Sequence, residues 1–208
     1  MSKQDEVAQV FIVDDDEAIR DSIALLLDTV DIPSATFASA TDFLESFDPE
    51  AKGCLVLDIR MPRMSGMELQ TQLRERGANI PIVFITGHGD IPMAVEAMRN
   101  GAINFIRKPF SEQELLDCIN EALDAEANQR LQQSDVQDMK SKIDKLTPRE
   151  FEVFERVAAG QANKVIAIEL EISERTVEIH RSQVMHKTES RSLADLVRLK
   201  LLLDQSNQ

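Results

Sequence analysis

Cysteine and long apolar runs are scarce in this 208-residue chain. The two cysteines, Cys54 and Cys118, are too few for a disulfide framework or a metal cluster, so we interpret both as reduced packing residues. No apolar run approaches the roughly 20 residues that a bilayer span needs, and residues 1–9 lack a signal-peptide core. We therefore expect a cytoplasmic protein with no membrane partner.

Positive charge is scarce in the first part of the chain. Residues 1–128 hold 24 acids and 10 bases, a net charge of −14, whereas residues 129–208 hold 13 of each. This asymmetry indicates two domains with different partners. The acidic part is suited to a cation and poorly suited to nucleic acid, while the neutral part can still carry a local basic face.

Short apolar runs alternate with segments of helical periodicity five times between residues 8 and 125. The apolar runs are 10–13, 35–37, 54–58, 81–85 and 103–106. Right-handed crossovers turn such a chain into a doubly wound parallel sheet of five strands. Residues 54–57 are continuously apolar and lead directly into Asp58, as is typical of a central strand that is buried on both faces.

Polar residues stand where four of these strands end: Asp14 and Asp15, Asp58, Thr86 and Lys108. The carboxyl ends of parallel strands meet at one edge, where open sheets place their ligand sites. Helix capping explains one or two of these acids, but not four consecutive carboxylates in residues 14–17. Carboxylates, a hydroxyl and an ammonium predict a magnesium and phosphoryl site.

Residues 8–125 resemble the receiver domain of two-component response regulators. The matching segments are Val13-Asp14-Asp15-Asp16, Leu57-Asp58-Ile59-Arg60-Met61-Pro62-Arg63-Met64-Ser65-Gly66, Thr86-Gly87-His88-Gly89-Asp90 and Lys108-Pro109-Phe110. The resemblance implies a flavodoxin-like fold in which Asp58 accepts a phosphoryl group from a sensor histidine kinase. It also implies that Asp15, Asp58 and the backbone carbonyl of Arg60 bind Mg²⁺ directly, with Asp14 acting through water.

The resemblance further implies a phosphate-responsive switch. Lys108 would pair with the phosphoryl group, Thr86 would bond to it, and Phe105 would reposition when Thr86 moves. The Lys108–Pro109 peptide bond is expected to be cis. Phosphorylation would then promote homodimerisation through the fourth helix and fifth strand, near Val95 and Met98.

The last part of the chain, from Leu146, shows four helical segments and no strand. A short helix, the turn Glu171-Ile172-Ser173 and a second helix have the spacing of a helix-turn-helix. Residues 146–203 resemble the LuxR/FixJ-type output domain through Leu146-Thr147-Pro148-Arg149-Glu150, Val157-Ala158-Ala159-Gly160, Asn163-Lys164-Val165-Ile166-Ala167 and Ile172-Ser173-Glu174-Arg175-Thr176-Val177-Glu178-Ile179-His180. This resemblance implies a dimeric transcription regulator that binds promoter DNA, with RNA polymerase as a further partner.

When the residues of the third of these helices are placed around its axis at 100° per residue, they divide into two distinct faces. The side expected to face the domain core carries Val177, His180, Val184 and Thr188. The side expected to face the major groove carries Arg175, Ile179, Ser182, Gln183 and His186. Phosphate contacts are predicted for Thr176, Lys187 and Lys164.

Two positions depart from the LuxR/FixJ pattern. Glu171 stands where the family usually has glycine in the turn, and a positive φ there would cost glutamate on the order of 1 kcal/mol. Val165 stands where the family often has glutamate, so one ion pair of the family is expected to be missing.

These patterns divide the chain into a receiver at 1–127, a helical linker at 128–145 and a helix-turn-helix domain at 146–208. The linker has apolar residues at Val136, Met139, Ile143 and Leu146, a short heptad-like stripe. The stripe is compatible with a short pairing helix and equally with a solvated spacer.

Two other functions compete with this interpretation. A haloacid-dehalogenase-like phosphatase also uses an aspartyl nucleophile and magnesium, but it needs a second acid two residues after the nucleophile, where this chain has Arg60. A pure interaction module would bind protein through its C-terminal helices, and salt-dependent, sequence-specific retention on DNA would exclude it. We expect no enzyme beyond a receiver that catalyses its own phosphorylation and dephosphorylation.

Overall fold

The computed structural model describes residues 7–87 and 91–206 of the chain. They form two compact units, Met1–Gln129 and Arg130–Gln208. Within the described ranges, no helix is both long enough and apolar enough to cross a bilayer.

The first unit is a parallel sheet with helices on both faces, as the sequence predicts. The strands are β1 Gln9–Val13, β2 Ser34–Phe37, β3 Gly53–Asp58, β4 Ile82–Thr86 and β5 Asn104–Arg107. Their order in the sheet is β2-β1-β3-β4-β5, and every pair is parallel. The helices that connect and follow them are α1 Glu17–Asp28, α2 Ala40–Ser46, α3 Gly66–Glu75, α4 Ile91–Arg99 and α5 Glu112–Ile143.

Strand β3 occupies the centre of the sheet, and all six of its residues are buried. Alternate side chains point to opposite faces of a strand, so β3 serves two cores. Leu55 and Leu57 pack in the cluster that contains residues of α2 and α3, while Cys54 and Val56 pack in the cluster that contains residues of α1 and α5. This double burial fixes the carboxyl end of β3, and with it Asp58.

Local capping sets several of the helix starts. Ser65 and Glu68 form a reciprocal capping box at the start of α3, in which the Ser65 N–H donates to Glu68 Oε2 over 2.8 Å. Thr147 and Glu150 form a second capping box at the start of α6. From its position in the sequence Asp90 is expected to cap α4, but it lies outside the described residues.

The second unit contains four helices after the end of α5. They are α6 Pro148–Ala158, α7 Asn163–Glu169, α8 Glu174–Lys187 and α9 Leu193–Ser206. Phe154, Val177, Val184 and Leu196 are fully buried in a common core. The described residues of this unit contain no strand, so the predicted all-α architecture is confirmed.

Helix α5 runs without a break from Glu112 to Ile143 and so includes most of the predicted linker. Met139 is only 2% exposed, and Ile143 belongs to the core of the second unit. Lys142 Nζ also pairs with Glu189 Oε2 at 2.9 Å. Met139 and Ile143 are therefore buried at the end of the linker, and the pairing of the linker helix stays a prediction.

Candidate functional site

The polar strand-end residues meet at the carboxyl edge of the sheet. Asp14 follows β1, Asp58 ends β3, Thr86 ends β4 and Lys108 follows β5. Asp14 and Thr86 are 1% exposed and Asp58 is 5% exposed. Buried carboxylates need a counter-charge and hydrogen-bond donors, and both are present at this edge.

Lys108 links the two buried carboxylates. Its Nζ lies 2.6 Å from Asp14 Oδ2 and 2.9 Å from Asp58 Oδ1. The Lys108 backbone N–H donates to the Thr86 carbonyl over 2.7 Å, which continues the pairing of β4 with β5. Lys108 thus meets Asp14 from 94 positions away in sequence and Asp58 from 50 positions away, as the alternation of strands and helices predicts.

The other carboxylate oxygens accept backbone N–H groups. Asp58 Oδ2 accepts from the Arg60 N–H at 2.7 Å, and Asp14 Oδ1 accepts from the Asp16 N–H at 2.9 Å. Arg20 Nη1 donates to the Asp14 carbonyl at 2.8 Å, so α1 also holds this strand end in place. These bonds orient both carboxylates before any ligand arrives.

Burial and pairing act in opposite directions on the charges of the site. Burial raises the pKa of Asp58, and the hydrogen bond and charge of Lys108 cancel this effect only in part. Burial also lowers the pKa of Lys108, but its bonds to Asp14 and Asp58 outweigh that effect, so its pKa lies above the usual value. The lysine is therefore held as a cation beside the two carboxylates.

The donor set suits magnesium chemically, because carboxylates are the hard oxygen ligands that Mg²⁺ prefers. Asp14 and Asp58 both lie within hydrogen-bonding distance of one atom, Lys108 Nζ, while Asp15 is exposed. Within residues 7–87 and 91–206, no three acidic, histidine or cysteine side chains are clustered closely enough to hold a metal. The magnesium ligands Asp14, Asp15, Asp58 and the Arg60 carbonyl stay a prediction.

The predicted switch residues lie next to the carboxylates. Thr86 is buried, whereas Phe105 is half-buried and packs against the cluster beside α3 and α4. The Lys108–Pro109 bond is cis, as expected. His88, which the sequence places in the loop after β4, lies outside the described residues.

One further residue, Gly66, positions the site without having been singled out for a role. A Cβ on Gly66 would lie 2.3 Å from the Asp58 carbonyl oxygen, so only glycine lets α3 begin this close to the phosphoacceptor candidate. The Gly66 N–H also donates to the Ile59 carbonyl over 2.9 Å. Gly66 lies within the receiver motif, but no local pattern reveals this close approach.

Helix α4 presents an apolar face to solvent near its centre. Val95 is 44% exposed and Met98 is 47% exposed. Large apolar side chains at these positions are available to a partner, as the predicted dimer face requires.

Helix α8 has the two faces that its sequence predicts. Val177, Val184 and Thr188 are buried, and His180 is half-buried. The five residues predicted to face the groove are all exposed: Arg175, Ile179, Ser182, Gln183 and His186. The orientation of the helix within its unit is therefore confirmed, while the individual base contacts stay predictions.

The three predicted phosphate contacts differ in their surroundings. Lys164 is exposed, and the Thr176 hydroxyl lies 2.8 Å from the hydroxyl of the capping Ser173. Lys187 Nζ instead lies 2.7 Å from Glu150 Oε2, on a carboxylate that is almost fully buried. Lys187 therefore has a structural partner that the helical wheel does not reveal.

Glu150 connects two helices through one oxygen atom. Its Oε2 accepts from the Thr147 N–H at 2.7 Å and from Lys187 Nζ. The hydrogen bond from Lys187 is the main reason that the pKa of Glu150 is lowered. Glu150 thus caps α6 and anchors the last turn of α8, so it positions the predicted recognition helix.

The turn of the helix-turn-helix contains the strained residue expected from the sequence. Glu171 has a φ of 54°, in the left-handed region that favours glycine. Its N–H donates to the Ile168 carbonyl over 3.3 Å, and Arg149 donates to the neighbouring Leu170 carbonyl. These bonds keep the turn closed despite the glutamate.

A five-stranded parallel sheet with this carboxyl-edge site, joined to a helix-turn-helix unit, defines the class of response regulators with a DNA-binding output. Residues 10–120 match the response regulator receiver domain, and residues 144–200 match the bacterial regulatory proteins of the luxR family. The chain belongs to the response regulator family and carries a receiver and a LuxR-type DNA-binding domain.

Similar proteins span nearly the whole chain. Nodulation protein W of Bradyrhizobium diazoefficiens is 46% identical over 192 residues, which cover 92% of this chain and 85% of that protein. The transcriptional regulatory protein FixJ of Azorhizobium caulinodans is 42% identical over 197 residues, which cover 95% of this chain and 93% of that protein. Among solved structures, the response regulator StyR is 48% identical with a TM-score of 0.85, covering 93% of this chain and 98% of that one. Full-length FixJ from B. japonicum is 38% identical with a TM-score of 0.59, and the match covers 95% of this chain and 98% of that one.

Proposed function

We propose that this regulator is switched by phosphorylation of Asp58 from a sensor histidine kinase, and that the phosphorylated protein dimerises and binds promoter DNA. The observation that carries this proposal is the position of Lys108 Nζ, 2.6 Å from Asp14 and 2.9 Å from Asp58 at the end of the central strand. A buried carboxylate beside a fixed cation is suited to accept a phosphoryl group, because the cation offsets the charge that is transferred.

The transfer follows from the contacts of Asp58. A carboxylate oxygen of Asp58 attacks the phosphorus of a phosphohistidine, a P–O bond forms, and the P–N bond breaks as the imidazole leaves. The bond from the Arg60 N–H holds Oδ2, and Lys108 lies on the Oδ1 side. Lys108 can then pair with the phosphoryl oxygens, and the buried hydroxyl of Thr86 lies at the next strand end to bond to them.

The reaction is proposed to need magnesium, held by Asp15, Asp58 and the Arg60 carbonyl, with Asp14 acting through water. Bound Mg²⁺ would supply positive charge against the transferred phosphoryl group. The support is chemical: the first unit is acidic, and its carboxylates are hard oxygen donors. Magnesium affinity should fall in Asp15→Ala, as measured by titration calorimetry, and an unchanged affinity would contradict this ligand set.

Phosphorylation at Asp58 can be tested by mass. The full chain treated with acetyl phosphate and magnesium should gain one phosphoryl group that is lost on mild alkaline hydrolysis. Asp58→Asn should abolish the gain, whereas Asp28→Asn, which changes an exposed carboxylate at the end of α1, should leave it intact. Wild-type labelling of Asp58→Asn would refute the assignment.

We propose no catalytic activity beyond phosphorylation and dephosphorylation of the chain itself. A phosphatase of the competing type needs an acid two residues after the nucleophile, and Arg60 stands there with an exposed side chain. Incubation with p-nitrophenyl phosphate and magnesium should release product only in proportion to the amount of protein. Sustained multiple turnover that Asp58→Asn abolishes would favour the phosphatase.

Dimerisation is proposed to use the exposed apolar residues of α4. Thr86 would move toward the phosphoryl group, Phe105 would follow, and the surface around Val95 and Met98 would change. Sedimentation at micromolar concentration should show dimers only after treatment with acetyl phosphate. Met98→Glu should prevent them, while Leu25→Glu, at an exposed position on α1, should not; identical sedimentation of the phosphorylated and free protein would exclude this switch.

DNA recognition is proposed to use the exposed face of α8, with Ile179, Ser182 and Gln183 reading base edges. Arg175 and His186 flank that face, and Lys164 supplies an exposed charge for the phosphate backbone. Footprinting on genomic DNA with and without acetyl phosphate should reveal phosphorylation-dependent sites. We also propose a cytoplasmic location, with RNA polymerase as a further partner. Gln183→Ala should alter the preference at one base pair, whereas Lys164→Ala should weaken all sequences about equally and lower the salt dependence.

A further inference from the structure

Arg181 joins α8, the predicted recognition helix, to the start of α7. Its Nη1 donates to Asn163 Oδ1 over 3.1 Å, and both side chains are half-buried. Asn163 is the first residue of α7, and the exposed Lys164 follows it. The bond therefore connects the helix that carries Ser182 and Gln183 to the part of α7 that carries an expected phosphate contact.

The bond from Arg181 also fixes which way the amide of Asn163 faces. A guanidinium has only N–H donors, and Oδ1 is the one acceptor on an asparagine side chain. Because Oδ1 is held toward Arg181, the two N–H groups on Nδ2 are directed away from it. Within residues 7–87 and 91–206 these N–H groups have no partner. The N-cap of α7 is Ala162, so the amide has no capping role and is a free, oriented donor.

The cations of the second unit differ in whether they are paired. Those that form ion pairs with carboxylates of the same unit are Lys142, Arg149, Arg156, Lys187 and Lys200. Among the described residues, Arg181 has no carboxylate partner, and neither do Lys164 and Arg175 on the same two helices. Glu178, which is exposed three residues before Arg181, does not pair with it either. A partly desolvated guanidinium attracts an anion more strongly than a fully exposed one, so Arg181 is suited to an anion from outside the chain.

The position of Arg181 around α8 indicates which anion this is. Thr176 and Lys187 lie on one flank of the exposed face, and Arg181 lies on the other, about 120° from Lys187 around the helix axis. A helix in the major groove has a phosphate backbone on each side. Arg181 and Asn163 therefore lie on the flank next to the second backbone, together with Lys164.

We propose that Asn163 and Arg181 form a clamp for one DNA phosphate on the flank opposite Thr176. Asn163 Nδ2 and an unused N–H of Arg181 donate to the phosphate oxygens, while Arg181 also positions the amide. The clamp fixes the rotation of α8 about its axis, and so determines which base edges Ser182 and Gln183 can reach. This inference rests on the proposed DNA recognition by α8 and adds two residues to it.

The test measures binding of the full chain to a fluorescein-labelled duplex of random sequence, since phosphate contacts do not depend on sequence. Each protein is titrated at several salt concentrations with and without acetyl phosphate, and the tighter-binding forms are compared. Asn163→Ala should bind about three- to tenfold more weakly with the salt dependence of the wild type, because a neutral amide releases no counterion. Arg181→Met should bind at least about tenfold more weakly and lower the salt slope by about one ion per chain.

Arg198→Met is the matched control. It removes an exposed arginine of α9, beside residues of the end of α5, and should leave the affinity and the salt slope unchanged. In ¹⁵N spectra of the wild type, the duplex should shift the side-chain amide of Asn163. This shift and the result for Asn163→Ala decide the proposal even if Arg181→Met proves unstable.

The outcomes separate the clamp from DNA recognition as a whole. If Asn163→Ala binds like the wild type, or if Arg181→Met weakens binding at an unchanged salt slope, the clamp is overturned and the contact between the two residues only supports the fold. The recognition by α8 would survive that result, because the wild type still binds. A wild-type chain that binds no duplex in either form would overturn both.

Discussion

Replacement of Glu171 by glycine should stabilise the second unit. Glu171 connects α7 to α8 with a φ of 54°, where the Cβ of an L-residue crowds the following carbonyl oxygen. Its side chain is exposed, so the substitution removes no buried contact. The change therefore tests backbone strain in the turn of the helix-turn-helix almost in isolation.

The magnitude follows from two opposing effects. A left-handed conformation costs a residue with a Cβ about 1–2 kcal/mol, which glycine avoids. Glycine also makes the unfolded chain more flexible, which offsets about 0.4–1 kcal/mol of that gain. A net gain of about 0.5–1 kcal/mol should raise the melting temperature of a unit of this size by roughly 2–8 °C.

Calorimetry on the full chain should resolve this change, with two control variants. Glu171→Ala removes the carboxylate but keeps the strain, so it should match the wild type closely. Gly160→Ala reverses the argument: Gly160 has a φ of 80° and open space around an added Cβ, so alanine there should lower the melting temperature through strain alone.

Native-state hydrogen exchange identifies which unit responds. The amides of the buried Val177 and Val184 should become more protected in Glu171→Gly, while that of Val56 in the central strand should not change. If Glu171→Gly is no more stable than Glu171→Ala, the positive φ carries no measurable strain and the reasoning fails.

Three further outcomes are expected. Carboxyl NMR should show Asp58 titrating above its ordinary pKa of 3.8, and Lys108→Met should raise this pKa further. The contribution of Asp58 to stability should therefore fall as the pH rises from 3.8 to the raised pKa of the folded protein. A pKa at or below 3.8 would contradict the burial argument. Lys187→Ala should lower the free energy of unfolding by about 1.5–3 kcal/mol without DNA, and Glu150→Gln in that background should restore part of the loss; additive effects of the two changes in chemical denaturation would show that the pair is not coupled. Met139→Ala should destabilise the second unit by about 2–5 kcal/mol in the same assay, and a neutral effect would mean that the residue is not part of the core.

The carboxyl-edge site could be predicted from sequence because its determinants are local. Each strand is a short apolar run, and Asp58 comes directly after such a run while Lys108 comes two residues after one, so alternation with helices brings them together. The capping boxes at Ser65 and Thr147 are also local, since three residues suffice to define each. Such patterns depend only on neighbouring residues in the sequence and not on how distant segments pack, so they can be recognised without a structure.

The missed contacts depend on packing between distant segments. Lys187 and Glu150 are 37 residues apart, and they meet only because α8 packs against α6. The sequence predicts a phosphate contact for Lys187, but helical periodicity cannot identify a partner on another helix. The burial of Met139 and the close approach of Gly66 to Asp58 arise in the same way, from which surfaces face each other.

The burial of Met139 and Ile143 determines where this regulator can be cut and rejoined. A hybrid that grafts its output onto a foreign receiver at residue 146 would discard Ile143, which belongs to the hydrophobic interior of the second unit, and would leave Glu189 without Lys142. A junction placed ahead of Val136 keeps that interior whole. The exchangeable module, in gene fusion as in evolution by domain shuffling, therefore begins inside α5 rather than at the conspicuous Thr147-Pro148 start of the next helix.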